Sequence, residues 1–548
     1  MKKVLSGFLL MAAAGCVAGG CAGGGDDDVV VYAGPVFITG DPAQPTAAAI
    51  SVDRTGRIIG VHAEVPSTDQ VDLRVLPGVL ALPGLHDAHL HLAGIGRLFE
   101  EIDLGGSLTA AEARGRVADF AAAHPEIAVL QGRGWDQNLF PGRSYPTWKD
   151  LDEIGGRPVY LRRIDGHSAW VNRPMLALAG IDAGTPDPDG GRILHDDDGE
   201  PTGILIDNAV DLVLDVLPDP SAADRERWLI AGAEACAESG LVAAHDMGLT
   251  AVDVATLSRL DAAGRLPLRV FGYLEGSEPG ILGLLDHVSP GDRFEIAGVK
   301  FYSDGALGSR GAALIEEYSD EKGTSGLLIL EPEELAALVR DVHERGGRTA
   351  THAIGDLGNR VALAAVVAAG ESSATRRHRI EHAQIIHPDD FDVFVASGAV
   401  ASMQPTHCTS DMGWAGSRLG EDRLVGAYAW RTMLDRGIPL AFGSDAPIES
   451  QDPLAGIHAA VTRQDASGSP QGGWRPEQKL TTDEAIAAFT AGAAYAVGRD
   501  EDLGALTVGR FFDATLLDGD PRGKASQWLD VKPLGTVVGG VLRRLEAD

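Results

Sequence analysis

The residues most able to do chemistry lie in the run Leu82-Pro83-Gly84-Leu85-His86-Asp87-Ala88-His89-Leu90-His91. In a strand, alternate side chains share a face, so Asp87, His89 and His91 point one way and His86 the other. Two imidazoles two apart on one face can grip one divalent ion, and His86 falls outside that pair. A bare His-x-His is a weak sign of a metal, but this one ends an apolar run that starts at Val79. Other candidates end other strand-like runs: His352 in Thr349-Ala350-Thr351-His352-Ala353, His382 in Arg379-Ile380-Glu381-His382, and Asp445 in Phe442-Gly443-Ser444-Asp445. Each alone reads as a hydrogen-bonded structural residue. The ordered series His-x-His, His, His, Asp reads as a metal site.

Strands and helices must alternate to bring such residues together. Strand-like runs occur at 79–91, 240–246, 268–273, 296–302, 348–352, 379–382, 399–403 and 439–445. Helical signals fall between them. Pro332 opens and Gly346-Gly347 closes one helix, and Thr481 with Glu484 forms a capping box for another that runs to Val497. Eight strands separated by helices predict an α/β fold, a (β/α)8 TIM-like barrel over 83–499, whose site gathers at the C-terminal strand ends. Residues 100–239 are too many for one connection and predict an insertion after the first barrel strand, on the catalytic side. Short β-like runs at both chain ends, 29–82 and 500–548, predict a small composite β-sandwich domain.

The order of these motifs resembles the amidohydrolase superfamily, and most closely its YtcJ-like branch, amidohydrolase family 3. The resemblance rests on 83–91, Gly132-Arg133-Gly134-Trp135-Asp136, Arg163-Ile164-Asp165-Gly166-His167, Lys300-Phe301-Tyr302-Ser303-Asp304-Gly305, His352-Ala353-Ile354-Gly355-Asp356, Arg379-Ile380-Glu381-His382, Gln404-Pro405 and Gly443-Ser444-Asp445-Ala446-Pro447. It implies that His89, His91 and Asp445 hold a first metal and that His352 and His382 hold a second. Lys300 falls where relatives carry a carboxylated lysine, a carbamate able to bridge two ions. Zinc is the expected metal, with Mn2+, Fe2+ or Co2+ as alternatives. A metal generates hydroxide from bound water at neutral pH. Asp445 would move the proton to the leaving nitrogen, and His382 or the second metal would polarise the carbonyl. Substrate contacts are expected from Trp135, Asp136, Arg163, Asp165 and His167 in the insertion, and from Asp304, Arg310, Gln404 and His407 beyond strands four and seven. His245-Asp246 is expected to support the site without ligating.

The implied reaction is hydrolysis of a carbon–nitrogen bond in a small amide, N-acyl or cyclic amide substrate. An amino-heterocycle deaminase is the alternative within the superfamily. A non-catalytic solute-binding lipoprotein is the alternative outside it, and it would not require this ligand set. The chain has 548 residues and a formal charge of -33, which argues against nucleic acid and anionic membrane surfaces as partners. Lys2, Lys3, an apolar run and small residues before Cys16 and Cys21 read as a lipoprotein signal over 1–20. Cys21 is favoured over Cys16 for lipidation, followed by a Gly/Asp tether to Asp28. The expectation is export to a bacterial cell envelope, periplasmic or extracellular, with a membrane link only through the lipid. A homodimer stays open. Cys236 and Cys408 read as buried small hydrophobes, with a bridge between them left open.

Overall fold

The computed structural model describes residues 29–545, apart from 68–71, 153, 155, 164–167, 189–190, 218 and 371–372. The signal, Cys21, the tether, Asp165 and His167 therefore lie outside the described residues. No helix among the described residues is long and apolar enough to cross a membrane. Cys236 and Cys408 are free and buried.

Eight parallel strands form the centre: β1 (Leu85–Leu90), β2 (Leu241–Leu249), β3 (Arg269–Glu275), β4 (Phe294–Tyr302), β5 (Thr349–Ala353), β6 (Arg379–His382), β7 (Val400–Met403) and β8 (Leu440–Phe442). They pair in sequence order from β1 to β8. Nearly every residue of β1, β2, β6 and β7 is buried, which is why parallel strands covered on both faces read as continuous apolar runs. The ring is drawn together beyond β8. Asp445 N–H donates to His89 O (2.6 Å), His91 N–H donates to Ala446 O (2.8 Å), and Leu90 bridges Ala446. Closure and the metal-ligand candidates thus occupy the same few residues.

The helix Pro332–Glu344 and the Thr481–Glu484 capping box match the sequence signals. The second helix breaks after Ala488 and resumes at Ala491. The insertion is shorter than expected. Residues 102–207 form a separate six-stranded sheet with its own apolar cores. Helix Ala222–Glu238 instead packs on helix Leu92–Leu98 beside the barrel. That crossing is close because glycines meet it. A Cβ on Gly232 would overlap Leu92 O, and one on Gly96 would overlap Trp228 O. Gly232→Ala is expected to lower the unfolding free energy by roughly 1–3 kcal/mol, as overpacking does. Urea unfolding checks this, and an unchanged midpoint would contradict the close crossing.

Strands from both chain ends share one eight-stranded sheet. Strand Ala514–Leu517 from the C-terminal part joins Leu80–Pro83 from the N-terminal part. In this sheet Val30–Ile38 pairs with three neighbours and bulges between Ala33 and Phe37, and a core that includes Tyr32, Phe37, Phe512 and Leu516 draws on both chain ends.

At the N-terminal end of the barrel His378 is held neutral. Its Nδ1 accepts the Thr349 N–H (3.1 Å), and its Nε2 meets His343 Nδ1 at 2.9 Å. Burial, helped by His343 and two arginines, draws it from 6.5 to about 3. The unfolded chain binds this proton near pH 6.5, whereas the folded chain resists it until about pH 3. The stability contributed is therefore complete above pH 6.5 and lost as pH falls toward 3. At about 1.4 kcal/mol per pH unit, urea unfolding at a pH one unit below 6.5 should show a loss of roughly 1 kcal/mol from this residue. His378→Asn should flatten the pH slope by that amount, and an unaltered slope would remove His378 as its source.

Candidate active site

The strand ends bring His89, His91 and Asp445 together. One donor atom of each lies within 4.8 Å of the others. The His89 and His91 Nε2 atoms sit 3.4 and 3.3 Å from Asp445 Oδ1. The opposite nitrogens fix the tautomers. His89 Nδ1–H donates to Glu381 Oε2 (2.6 Å), and His91 Nδ1–H donates to Met247 O (2.8 Å). Each ring thereby presents Nε2 toward Asp445, and a partnered second nitrogen is what metal-ligating histidines show. Burial opposes a proton on His91, but the Asp445 carboxylate beside Nε2 raises it above its ordinary value, and a metal taking that nitrogen would displace the proton. This donor set, two imidazoles with partnered second nitrogens and one carboxylate, fits a divalent ion.

A second group joins His382, His407 and Asp445. His382 Nδ1–H donates to Gln404 Oε1 (2.9 Å), which leaves its Nε2 free. His407 differs. Its Nε2 lies 3.2 Å from Asp445 Oδ2 and its Nδ1 lies 3.6 Å from Glu449 Oε1. Burial opposes its charge, but the two carboxylates override that and push it up to about 10. His407 therefore holds a proton between two carboxylates, so it reads as a cationic partner of Asp445 and not as a ligand. His352 enters neither group, although its ring centroid is 4.5 Å from that of His382. Its Nε2 faces Gly305 O at 3.5 Å.

The electrostatics are set by burial and close neighbours. Burial, reinforced by Lys300, draws His89 to about 4 and His352 to about 3. Burial would raise Asp445, but His89, His407, His91 and His382 hold it well below the usual carboxylate range. Burial brings the Lys300 amine down to about 8. His382 (φ 67°) and Asp445 (φ 62°) both adopt left-handed backbone, which costs about 1–3 kcal/mol each and is typical of positions fixed for function.

The other site candidates already have partners within the protein. Trp135 is fully buried in the insertion core and donates its indole N–H to Leu161 O. Asp136 and Arg163 pair with each other at 3.0 Å, and Arg163 also donates to Gln137. Asp304 is buried and accepts the N–H groups of Ala313, Ile354 and Gly355, tying the loop after β4 to the loop after β5. Arg310 pairs with Asp320 and Glu321. Gln404 orients His382, and His407 engages Asp445. A buried carboxylate with three backbone donors, or an arginine with two acidic partners, is already satisfied without a ligand.

Sequence reading missed Arg379, Glu381, Asp87, Ser444 and Glu449 as site residues. Arg379 donates to both oxygens of Glu381, and both side chains are fully buried. Asp87 accepts from the Ser444 N–H, the Ser444 hydroxyl and the His89 N–H, which locks the β8 loop onto β1. One signal was available: Arg379 and Glu381, two apart, place opposite charges on one face of a buried strand.

The profile of the Amidohydrolase family matches residues 74–543. The chain belongs to this family. The Bacillus subtilis (strain 168) amidohydrolase-family relative YtcJ is 34% identical over 462 residues, covering 83% of this chain and 86% of YtcJ. The N-substituted formamide deformylase of Arthrobacter pascens is 27% identical over 532 residues, covering 92% and 96%. The crystal structure of an uncharacterized metal-dependent hydrolase from Pyrococcus horikoshii OT3 superposes with a TM-score of 0.77 at 27% identity, covering 91% of this chain and 99% of that one. As a member of the amidohydrolase family with such neighbours, this chain is a metal-dependent hydrolase.

Proposed function

We propose that the protein hydrolyses a carbon–nitrogen bond in a small amide, N-acyl or cyclic amide. The observation that carries this reading is the Asp445–His407 pair beside the metal group. An amine is a poor leaving group until it is protonated, and here a carboxylate oxygen and a cationic imidazole stand 3.2 Å apart, able to hold and pass a proton. The A. pascens relative, a formamide deformylase by name, points to the same bond type. His89, His91 and Asp445 would hold the ion. When bound, a divalent metal lowers the pKa of a coordinated water to around 7 and polarises a carbonyl oxygen. Asp445 Oδ2 accepts the proton released by the attacking water. His407 Nε2–H, held charged between Asp445 and Glu449, gives its proton to the departing amine and takes in its place the proton that Asp445 Oδ2 received from the water, which returns both side chains to their starting states.

We extend the reading to two zinc ions, with His352 and His382 at the second and a carbamate on Lys300. A buried amine near 8 has the neutral form needed to add carbon dioxide, and the resulting anion would replace a cation that repels metals. Metal analysis after zinc and bicarbonate loading should give two ions per chain, falling in Lys300→Ala. A constant stoichiometry of one would sink the two-metal extension.

The substrate class is tested with the zinc-loaded protein on N-acyl amino acids, formamides, hydantoins and amino-heterocycles. Amine or ring-opened product is expected. Ammonia release from amino-heterocycles alone would replace the reading with deamination. Turnover of esters without any C–N substrate would overturn it.

A further inference from the structure

Below the metal group the barrel holds a charged layer where barrels of this kind are usually filled with branched apolar side chains. Arg379 reaches from β6 across the interior and is fully buried. Its Nε and one terminal nitrogen hold the two oxygens of Glu381 at 2.7 and 2.9 Å. The same terminal nitrogen donates to Ala88 O on β1 and to Ser402 Oγ on β7. The other terminal nitrogen meets His245 Nδ1 on β2 at 3.0 Å and Tyr273 Oη on β3 at 3.2 Å. The guanidinium thus ties five strands together, and Glu381 passes its orientation to the His89 ring.

We propose that His245 is a positioning residue for the metal site, its Nδ1 fixing the Arg379 guanidinium that aims Glu381 at His89. Arginine has donors only, so His245 Nδ1 must accept and the ring proton must sit on Nε2. That Nε2 has no hydrogen-bond partner among the described residues, and the ring stands edge-on to His86, 5.7 Å away and likewise unpartnered at both nitrogens. Buried polar atoms are normally satisfied. A buried histidine with one nitrogen unpartnered is accounted for by what the other nitrogen holds. Losing that acceptor frees one edge of the guanidinium, and the carboxylate it carries can turn with it. Ala88 O, one residue before His89, loses its fixed donor by the same movement.

The proposal rests on His89 being a metal ligand. The test therefore measures Zn2+ affinity directly, by competition with a chromophoric chelator, in His89→Ala, His245→Asn and His245→Gln. Asparagine sets an acceptor near the place of Nδ1, and glutamine sets its polar group near the place of Nε2. His245→Asn should bind Zn2+ within about threefold of the unaltered protein, whereas His245→Gln should lose roughly 10- to 100-fold, the range seen when outer partners of metal ligands are removed. Equal losses in both variants would mean that His245 only fills space and would overturn the proposal. So would undiminished affinity in His245→Gln. Unchanged affinity in His89→Ala would instead overturn the ligand reading beneath it. A measurement on the unaltered protein needs no variant to fold: 15N NMR of labelled histidine should find the Nε2–H tautomer at His245, and the Nδ1–H tautomer would refute the geometry.

Discussion

Asp445→Asn is expected to lower kcat/KM by about 10^2- to 10^4-fold, the range that a positioned proton-transfer group contributes, while leaving the fold intact. Asparagine is the informative replacement because the backbone at Asp445 is left-handed, a conformation that Asn and Asp tolerate better than other side chains. It keeps the shape and one oxygen but removes the charge. His89 and His91 Nε2, at 3.4 and 3.3 Å, then face a neutral group, and so does His407 Nε2 at 3.2 Å. Metal content should fall with activity, since the carboxylate is the one anionic donor of that group. His407 loses its nearest carboxylate and keeps Glu449 at 3.6 Å, so its proton is held less tightly. Steady-state kinetics on a responsive C–N substrate, with metal analysis and circular dichroism on the same sample, separates these effects. Full activity in Asp445→Asn would remove Asp445 from the mechanism.

The ligand candidates were legible because each ends a buried strand, and barrel topology carries such ends to one rim. That logic, with strand alternation choosing His89 and His91 over His86, brought His89, His91, His382 and Asp445 to one rim. It could not say that His352 turns its Nε2 toward Gly305 O, or that His407, assigned to substrate, leans on Asp445. Those depend on where the loop after β4 sets Gly305 and on the helix Pro405–Asp411 that carries His407, which no strand period encodes. The same limit explains Trp135 and Asp304. Each sits in a motif that looks functional, but one is consumed by the packing of the insertion and the other by three backbone donors of two loops. The insertion's end was misplaced because helix Ala222–Glu238 carries no mark of which unit it belongs to. Its packing assigns it to the barrel: the glycine crossing at Gly96 and Gly232, the Arg225–Asp253 ion pair, and Leu229, Ala233 and Cys236 in the barrel core.

Arg379 was hidden for a different reason: its partners come from β1, β2, β3 and β7, which are distant in sequence. Its replacement carries the second large effect. Burial alone would raise the Glu381 carboxyl, but Arg379 and His89 hold it down to about 2. Arg379→Met leaves that carboxylate desolvated with only the His89 N–H, and removing one member of a buried pair costs about 3–5 kcal/mol. Glu381 should then take up a proton, turn from acceptor to donor toward His89, and reverse the tautomer that points Nε2 at the metal. Both stability and Zn2+ affinity are expected to fall. The double variant Arg379→Met/Glu381→Leu separates the two losses. Replacing a buried ion pair with apolar side chains is often neutral, so urea unfolding should return close to that of the unaltered chain. Zn2+ affinity should not return, because His89 Nδ1 still lacks its carboxylate. If the double variant recovers both, the charged layer serves the fold alone. If it recovers stability without metal binding, the barrel bears a buried ion pair for the sake of one histidine's orientation.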